Sequence, residues 1–255
     1  MTPLTDLDLL SGAPIPLEGV GTLLPPRLRD LCPGGRIGFS RYNRLLSLAC
    51  MGTEDFLQGL GLKEAFSALP QGERESFTPY NLLTLFEEYR ELLGELLGLF
   101  LAEEVRYDED ASRFVTLAPD GTAAGRVDNE NYPQVQRAIL RLNCLSAQEP
   151  SAQNFKSGRA RAVYEKILDG RKRQAKRLKP DDSLSLPNLV SAVACQHAGY
   201  NLLNIWDLTV YQLYDQFARL NRKHQLDVSS LRWAAWGKDS FDFSLWYQAP
   251  EQKQT

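Results

Sequence analysis

Histidine, methionine and cysteine are all scarce in this chain, with two, two and four residues among 255. The cysteines (Cys32, Cys50, Cys144, Cys195) lie far apart and form no CxxC pair. Neither a zinc ribbon nor a redox dithiol can be written from them, and buried, reduced thiols are the expectation. Long hydrophobic runs are missing as well. The nearest approach to the roughly twenty apolar residues of a membrane span is broken by Glu87, Glu88, Arg90, Glu91 and Glu95. The amino terminus carries three prolines and no basic region, so it does not read as a signal peptide. No membrane partner is expected, and the protein is expected to stay in the cytoplasm where it is made.

Catalytic signatures are absent too. There is no GxSxG, HExxH, Walker lysine loop or dinucleotide fingerprint. Gly34, Gly35 and Gly38 (PGGRIG) have no strand before them and no Lys-Ser/Thr after them, which argues against a phosphate cradle. Asp108, Glu109, Asp110, Asp120 and Asp128 crowd one region but lack the glycine and terminal glutamate of a calcium loop. His197 and His224 each fall at the end of an apolar helical stripe, where the helix dipole favours a protonated ring that can cap carbonyls. The expectation is a protein with no catalytic residues, no metal and no cofactor.

What the chain does have is a hydrophobic content of 43%, enough for a core without covalent staples. It also has an uneven charge. Between Lys156 and Lys179 ten Lys or Arg residues stand against Glu165 and Asp169, a local +8, so the formal −3 leaves −11 on everything else. Arg171, Lys172, Arg173, Lys176 and Arg177 could neutralise phosphates. Tyr164 is the only aromatic residue in the segment, so stacking on single strands is not expected, and solvation or pairing with the protein's own acids is favoured over nucleic acid.

Spacing predicts a mainly α protein: a helical bundle with a small antiparallel β-hairpin or meander and an extended Pro-rich N-terminal arm. The arm covers 1–35, punctuated by Pro14, Pro16, Pro25, Pro26 and Pro33, with one short hairpin near Gly19 to Gly21. A helical subdomain follows over 36–145. It begins with helices at Ser40 to Cys50 and Thr53 to about Leu69, the latter interrupted by Gly59 and Gly61. One six-turn helix near 79–101 is capped by Thr78 and Pro79 and buries Leu85, Leu92 and Leu96. Alternation over about 103–127 predicts strands that project from the body, and a helix runs from Pro133 to Cys144. Ser146 to Asn154 reads as a linker. The second subdomain, 155–255, holds the basic helix, a helix at Leu186 to His197 burying Val193, and a helix opened by the Thr209/Gln212 capping box that buries Leu213 and Phe217. The ending, with Leu231, Trp233, Trp236, Phe241, Phe243, Trp246 and Tyr247, is expected to dock, since so many exposed aromatics would promote aggregation.

One block carries a resemblance. NLLNIWDLTVYQLYDQFARLNRK, Asn201 to Lys223, is similar to a segment of proteins encoded near the tail genes of tailed bacteriophages and prophages of Gram-positive bacteria, described as tail assembly chaperones or uncharacterised tail proteins. The shared residues are Asp207, Leu208, Thr209, Tyr211, Gln212, Leu213, Tyr214, Asp215, Phe217 and Arg219. RIGFSRYNRLLSLA, Arg36 to Ala49, resembles a second block of the same proteins. The resemblance implies a non-enzymatic protein of the host cytoplasm that holds helical tail proteins such as the tape measure while the tube polymerises. Trp206, Tyr211, Tyr214, Phe217, Trp233, Trp236 and Trp246 would then line the partner groove. A structural virion component laced by the N-terminal arm, and a nucleic-acid-binding regulator using 156–179, are the alternatives. A homo-oligomer is left open.

Overall fold

The computed structural model describes residues 4–74, 77–145 and 185–237, together with Asp242, Ser244 and Tyr247. The expected extended arm is instead a folded part of the body. Thr5 caps helix α1 (Asp6–Ser11): its Oγ1 accepts from the Asp8 amide at 3.2 Å while the Asp8 carboxylate accepts from the Thr5 amide at 2.8 Å. A hairpin follows, β1 (Ile15–Leu17) antiparallel to β2 (Gly21–Leu23), and then the single turn α2 (Leu28–Leu31). The prolines break the segment into short elements without holding it off the core, because alternation still turns Ile15 and Leu17 inward while Pro16 faces out. Val20, Leu23 and Leu28 are buried as well.

Backbone bonds stitch this segment to distant chain. Leu24 N–H donates to the Phe100 carbonyl at 2.7 Å and Ala102 N–H to Thr22 at 2.9 Å, while Leu28 N–H donates to Leu208 at 2.9 Å.

Helix α3 (Phe39–Cys50) and helices α4 (Thr53–Gly59), α5 (Lys63–Ala68) and α6 (Gln71–Arg74) come next. The long spine is two helices, not one. Thr78 caps α7 (Pro79–Leu85), the chain becomes extended at Phe86 (φ −105°, ψ 128°), and α8 (Glu87–Phe100) restarts. Phe86 leaves the helical path beside Phe56 and Tyr89, with ring centroids 6.2 Å away in each case. The break reverses one burial expectation: Leu85 is 69% exposed, while Leu92 is half-buried and Leu96 buried. Apolar spacing runs unbroken through 86, so only packing reveals the joint.

Strands β3 (Glu104–Asp108), β4 (Arg113–Leu117) and β5 (Ala123–Val127) form the antiparallel meander in that order. It does not project. One face lies on the N-terminal hairpin, where the buried Thr116 hydroxyl donates to the Val20 carbonyl and Arg126 N–H donates to Gly19 at 2.9 Å. Gly125 permits this approach, since a Cβ there would sit 2.6 Å from the carbonyl oxygens of both Gly19 and Val20. Few apolar residues suffice because the small hairpin covers Thr116 while α8 covers Phe114 on the same face.

Helix α9 (Tyr132–Leu142), α10 (Leu186–Gln196), a 3-10 turn (Ile205–Asp207) and α11 (Val210–Trp236) complete the described elements. Buried residues from Leu9 to Leu213 form one cluster, to which Leu23, Leu45, Phe100, Ile139 and Val193 belong. It draws on the N-terminal segment, on 36–145 and on the described part of 155–255. The linker at 146–154 lies outside the described residues. Among the described residues no helix is long and apolar enough to cross a membrane.

Candidate functional site

Helix α11 and the loop that leads into it hold several of the large apolar side chains that the fold leaves turned outward. The loop follows α10 and is tied to itself at every step. His197 ends α10, and its Nδ1 accepts from the amides of Gly199 at 2.9 Å and Tyr200 at 3.1 Å. The ring therefore accepts from backbone amides, where a carbonyl-capping role was expected. His224, by contrast, is not at a helix end; it sits exposed within α11.

Asn201 and Asn204 then bracket two leucines. Asn201 Oδ1 accepts from Leu203 N–H at 2.8 Å and Asn204 Oδ1 from Asn201 N–H at 2.8 Å, while Asn204 Nδ2 donates to the Gly199 carbonyl at 3.0 Å. The Trp206 indole donates to the Leu202 carbonyl at 2.7 Å. Side-chain amides replace the missing ladder partners of a tight turn, as is usual for asparagine. The outcome is a fixed tip on which Leu202 is 59% and Leu203 91% exposed. Sequence reasoning missed this tip, although the Asn-Leu-Leu-Asn spacing was its signal.

Asp207 closes the loop against the N-terminal segment through an ion pair with Arg29 and a longer contact to Arg27 at 3.8 Å. The capping box then starts α11: Thr209 Oγ1 accepts from Gln212 N–H at 3.2 Å and Gln212 Oε1 from Thr209 N–H at 2.8 Å. Gln212 Nε2 also donates to the Leu10 carbonyl at 2.8 Å, joining the cap to α1. Leu208, Val210, Tyr211 and Leu213 are buried, and Tyr214, Phe217 and Leu220 are partly buried against the core.

Past Leu220 the helix continues to Trp236, another sixteen residues or about 24 Å at 1.5 Å per residue. The expected docking of the aromatic ending is overturned for the residues described there. Leu231 is 70% exposed, Trp236 68%, and Trp233 and Tyr247 are exposed as well. Phe241, Phe243 and Trp246 lie outside the described residues. At 3.6 residues per turn, Val228, Leu231 and Ala235 share one side of this outer half, and Leu226 and Trp233 share a side roughly opposite.

Between the end of α10 and α11 lies a groove of about 570 Å³ lined by His197, Gln216, Leu220, Leu226 and Tyr247, among others. The charges along it are paired on their own helix, Arg219 with Asp215 at 3.5 Å and Lys223 with Asp227 at 2.6 Å.

The seven expected partner residues are therefore not one groove. Tyr211 is buried, Tyr214 and Phe217 are core-facing, Trp206 is half-buried with its indole bonded, and Trp246 lies outside the described residues. Trp233 and Trp236 are the two that face outward. Arg171, Lys172, Arg173, Lys176 and Arg177 also lie outside the described residues.

Of the thiols, Cys32, Cys50 and Cys144 are partly buried, whereas Cys195 is exposed, against the expectation that all are internal. Burial pushes the Cys50 thiol up, and burial with the nearby Asp215 carboxylate pushes Cys144 up to about 12. At Gly35 an added Cβ would run into the Arg29 carbonyl oxygen and sit 2.6 Å from that of Asp30, so the position has no room for a side chain.

Residues 175–250 match the family described as YomV second domain. That family is of phage and prophage type. The match takes in the loop tip, the groove and all of α11, and covers under a third of the chain. No curated protein matches the chain, and no solved structure does.

Proposed function

We propose that this is a phage or prophage protein that acts in tail assembly by holding a helical protein partner, with the outer half of α11 as its contact surface. The observation that carries the reading is the sixteen-residue extension of α11 beyond the core, on which Trp233 and Trp236 are exposed on one side of the helix. Large apolar side chains on a rigid element are the usual anchors of helix-to-helix recognition, and tryptophan brings much contact area with few rotors to freeze. The match of this same segment to a phage-type family supports the setting. Folding of residues 4–31 onto the core removes the motive for the alternative of a virion component laced by an extended arm.

Co-expression with the tape-measure and tail-tube proteins of the same phage, followed by affinity capture, tests the proposal. A tail protein should be retained by the parent and lost with the double variant Trp233→Glu/Trp236→Glu. If no tail protein is retained, and deleting the gene leaves particles with normal tails, the reading is wrong.

A further inference from the structure

The joint between α7 and α8 gathers carboxylates with little to offset them. Phe56 of α4 meets Phe86 and Tyr89 there, with ring centroids 6.2 Å and 4.8 Å from its own, so the residues flanking these rings share one surface. Those neighbours are Glu54, Asp55, Glu87, Glu88 and Glu91, and Arg90 is the one Lys or Arg in 52–62 and 77–91. Arg90 serves the meander, 3.1 Å from Glu109 and 4.7 Å from the Tyr107 ring centroid. Leu85 and Phe86 are exposed among these acids. We propose that this face is the seat of the chain's own basic segment, 156–179, which lies outside the described residues. The inference stands apart from the tail-assembly reading, which uses the outer half of α11.

The first argument is charge. Among the described residues Glu87, Glu88 and Glu91 stand in no ion pair, whereas Glu95, one turn further along α8, has both Arg41 at 3.5 Å and Arg44 at 3.3 Å. The helix dipole favours Glu87 and Glu88, which lie in the first turn. It does little for Glu91, which is four residues from Glu87 and repels it. Segment 156–179 sets ten Lys or Arg against Glu165 and Asp169, the strongest concentration of positive charge in the chain.

The second argument is the apolar match. Val163, Tyr164 and Ile167 have the spacing of one helix side, with Arg161 and Lys166 beside them. Leu85 and Phe86 offer that side an apolar seat while the carboxylates meet the flanking cations. Charge alone would leave a solvated face of little worth; an apolar centre with a charged rim is how a helix is recognised.

Reach supplies the third argument. Helices α9 and α8 both pack on α3, through Tyr42 to Asn143 on one side and through Arg41 and Arg44 to Glu95 on the other. Helices in contact lie about 8–10 Å apart, so α8 is roughly 20 Å from α9. Glu87 is a further 12 Å or so along α8 from Glu95 at 1.5 Å per residue. The eleven residues from Leu145 to Lys156 span about 36 Å when extended. A link of that length holds the segment at an effective concentration of order millimolar, so ion pairs that are weak singly act together.

Carbodiimide coupling, which joins a carboxylate directly to a lysine amine, tests the proposal on the full chain. In a mixture of plain and isotope-labelled chains, links from Lys156, Lys166, Lys172, Lys176 or Lys179 should run to Glu87, Glu88 and Glu91 within one chain. Their yield should fall roughly fivefold or more between about 0.05 M and about 0.5 M salt. Links mainly to other carboxylates, links between plain and labelled chains, which would make a second copy the occupant, or no links at all overturn the proposal. Trypsin gives a second readout. Glu87→Gln/Glu88→Gln/Glu91→Gln changes three exposed side chains and should speed cleavage after Arg171, Arg173 and Arg177 at least fivefold with circular dichroism unchanged. Glu18→Gln/Asp110→Asn/Glu130→Gln, the same change in net charge at exposed positions elsewhere, should leave that rate within twofold. Equal acceleration by both variants, or none by either, overturns the proposal.

Discussion

The inner and outer halves of α11 belong to one unbroken helix yet differ in nearly every other respect. Val210, Tyr211 and Leu213 are buried, and the cap residues bond to both the helix and α1. Residues 221–236 still carry seven apolar side chains in sixteen, against seven in eleven over 210–220, and all are exposed or half-exposed. Apolar content alone therefore does not tell core from surface here; the neighbours that arrive from elsewhere in the chain do.

The largest effect should come from the inner half. Leu213→Ala removes a fully buried side chain and should cost about 2–5 kcal/mol, lowering the melting temperature by roughly 4–20 °C for a chain of this size. A shift within a degree would mean that the inner half is not core.

Gly125→Ala damages the body far from α11 by pushing a methyl group into the Gly19 and Val20 carbonyls. It should cost about 1–3 kcal/mol, as overpacking generally does. Tryptophan emission from Trp233 and Trp236 should not move before global unfolding. Emission that shifts in the folded variant would show that the outer half leans on the meander.

Thr209→Ala deletes the cap and should cost about 0.5–2 kcal/mol in a denaturant titration, whereas Thr209→Ser should restore most of it. No loss at all would mean that the inner half is held by packing alone.

The thiols sharpen the contrast by chemistry. Cys144 is pushed up to about 12 beside Asp215 of the inner half, and its raised value favours the neutral thiol of the folded state. That contribution is complete below the ordinary thiol value of 9.0 and is lost as pH climbs from there towards 12. Stability should decline over that alkaline window, and less so in Cys144→Ala. At neutral pH an alkylating reagent should reach Cys195 first and Cys144 last, as read by mass spectrometry; the reverse order would contradict the burial of the inner face.

The smallest effect belongs to the outer half. Trp236→Ala should change stability by no more than about 0.5 kcal/mol, as exposed substitutions do. A loss of several kilocalories would place Trp236 in a core.

Much of the fold was legible because it is written locally. Thr209 and Gln212 announce a capping box, Thr78 and Pro79 a helix start, and Pro119-Asp120-Gly121 the turn between β4 and β5, all from spacing over a few residues. The Leu202–Leu203 tip had a local signal too, but two leucines read as core until the asparagine bonds turn them outward. The misreadings share one cause. The N-terminal prolines suggested an arm, yet Leu24 and Leu28 find carbonyl partners on Phe100 and Leu208, which no local pattern reveals. Leu85 and Leu231 continue apolar stripes but lie where those stripes outrun the body.

By itself, then, the sequence determined most of the helices from residue 36 onward and the meander, the caps at Thr78 and Thr209, and the scarcity of groups for catalysis or metal binding. Tertiary structure decided which apolar faces are covered, that the meander lies on the hairpin, and that the second half of α11 stands exposed. The physical reason is that hydrogen-bonded periodicity and caps depend on residues within a turn or two, whereas burial depends on which distant surfaces meet, and a single stripe of leucines carries no record of its partner.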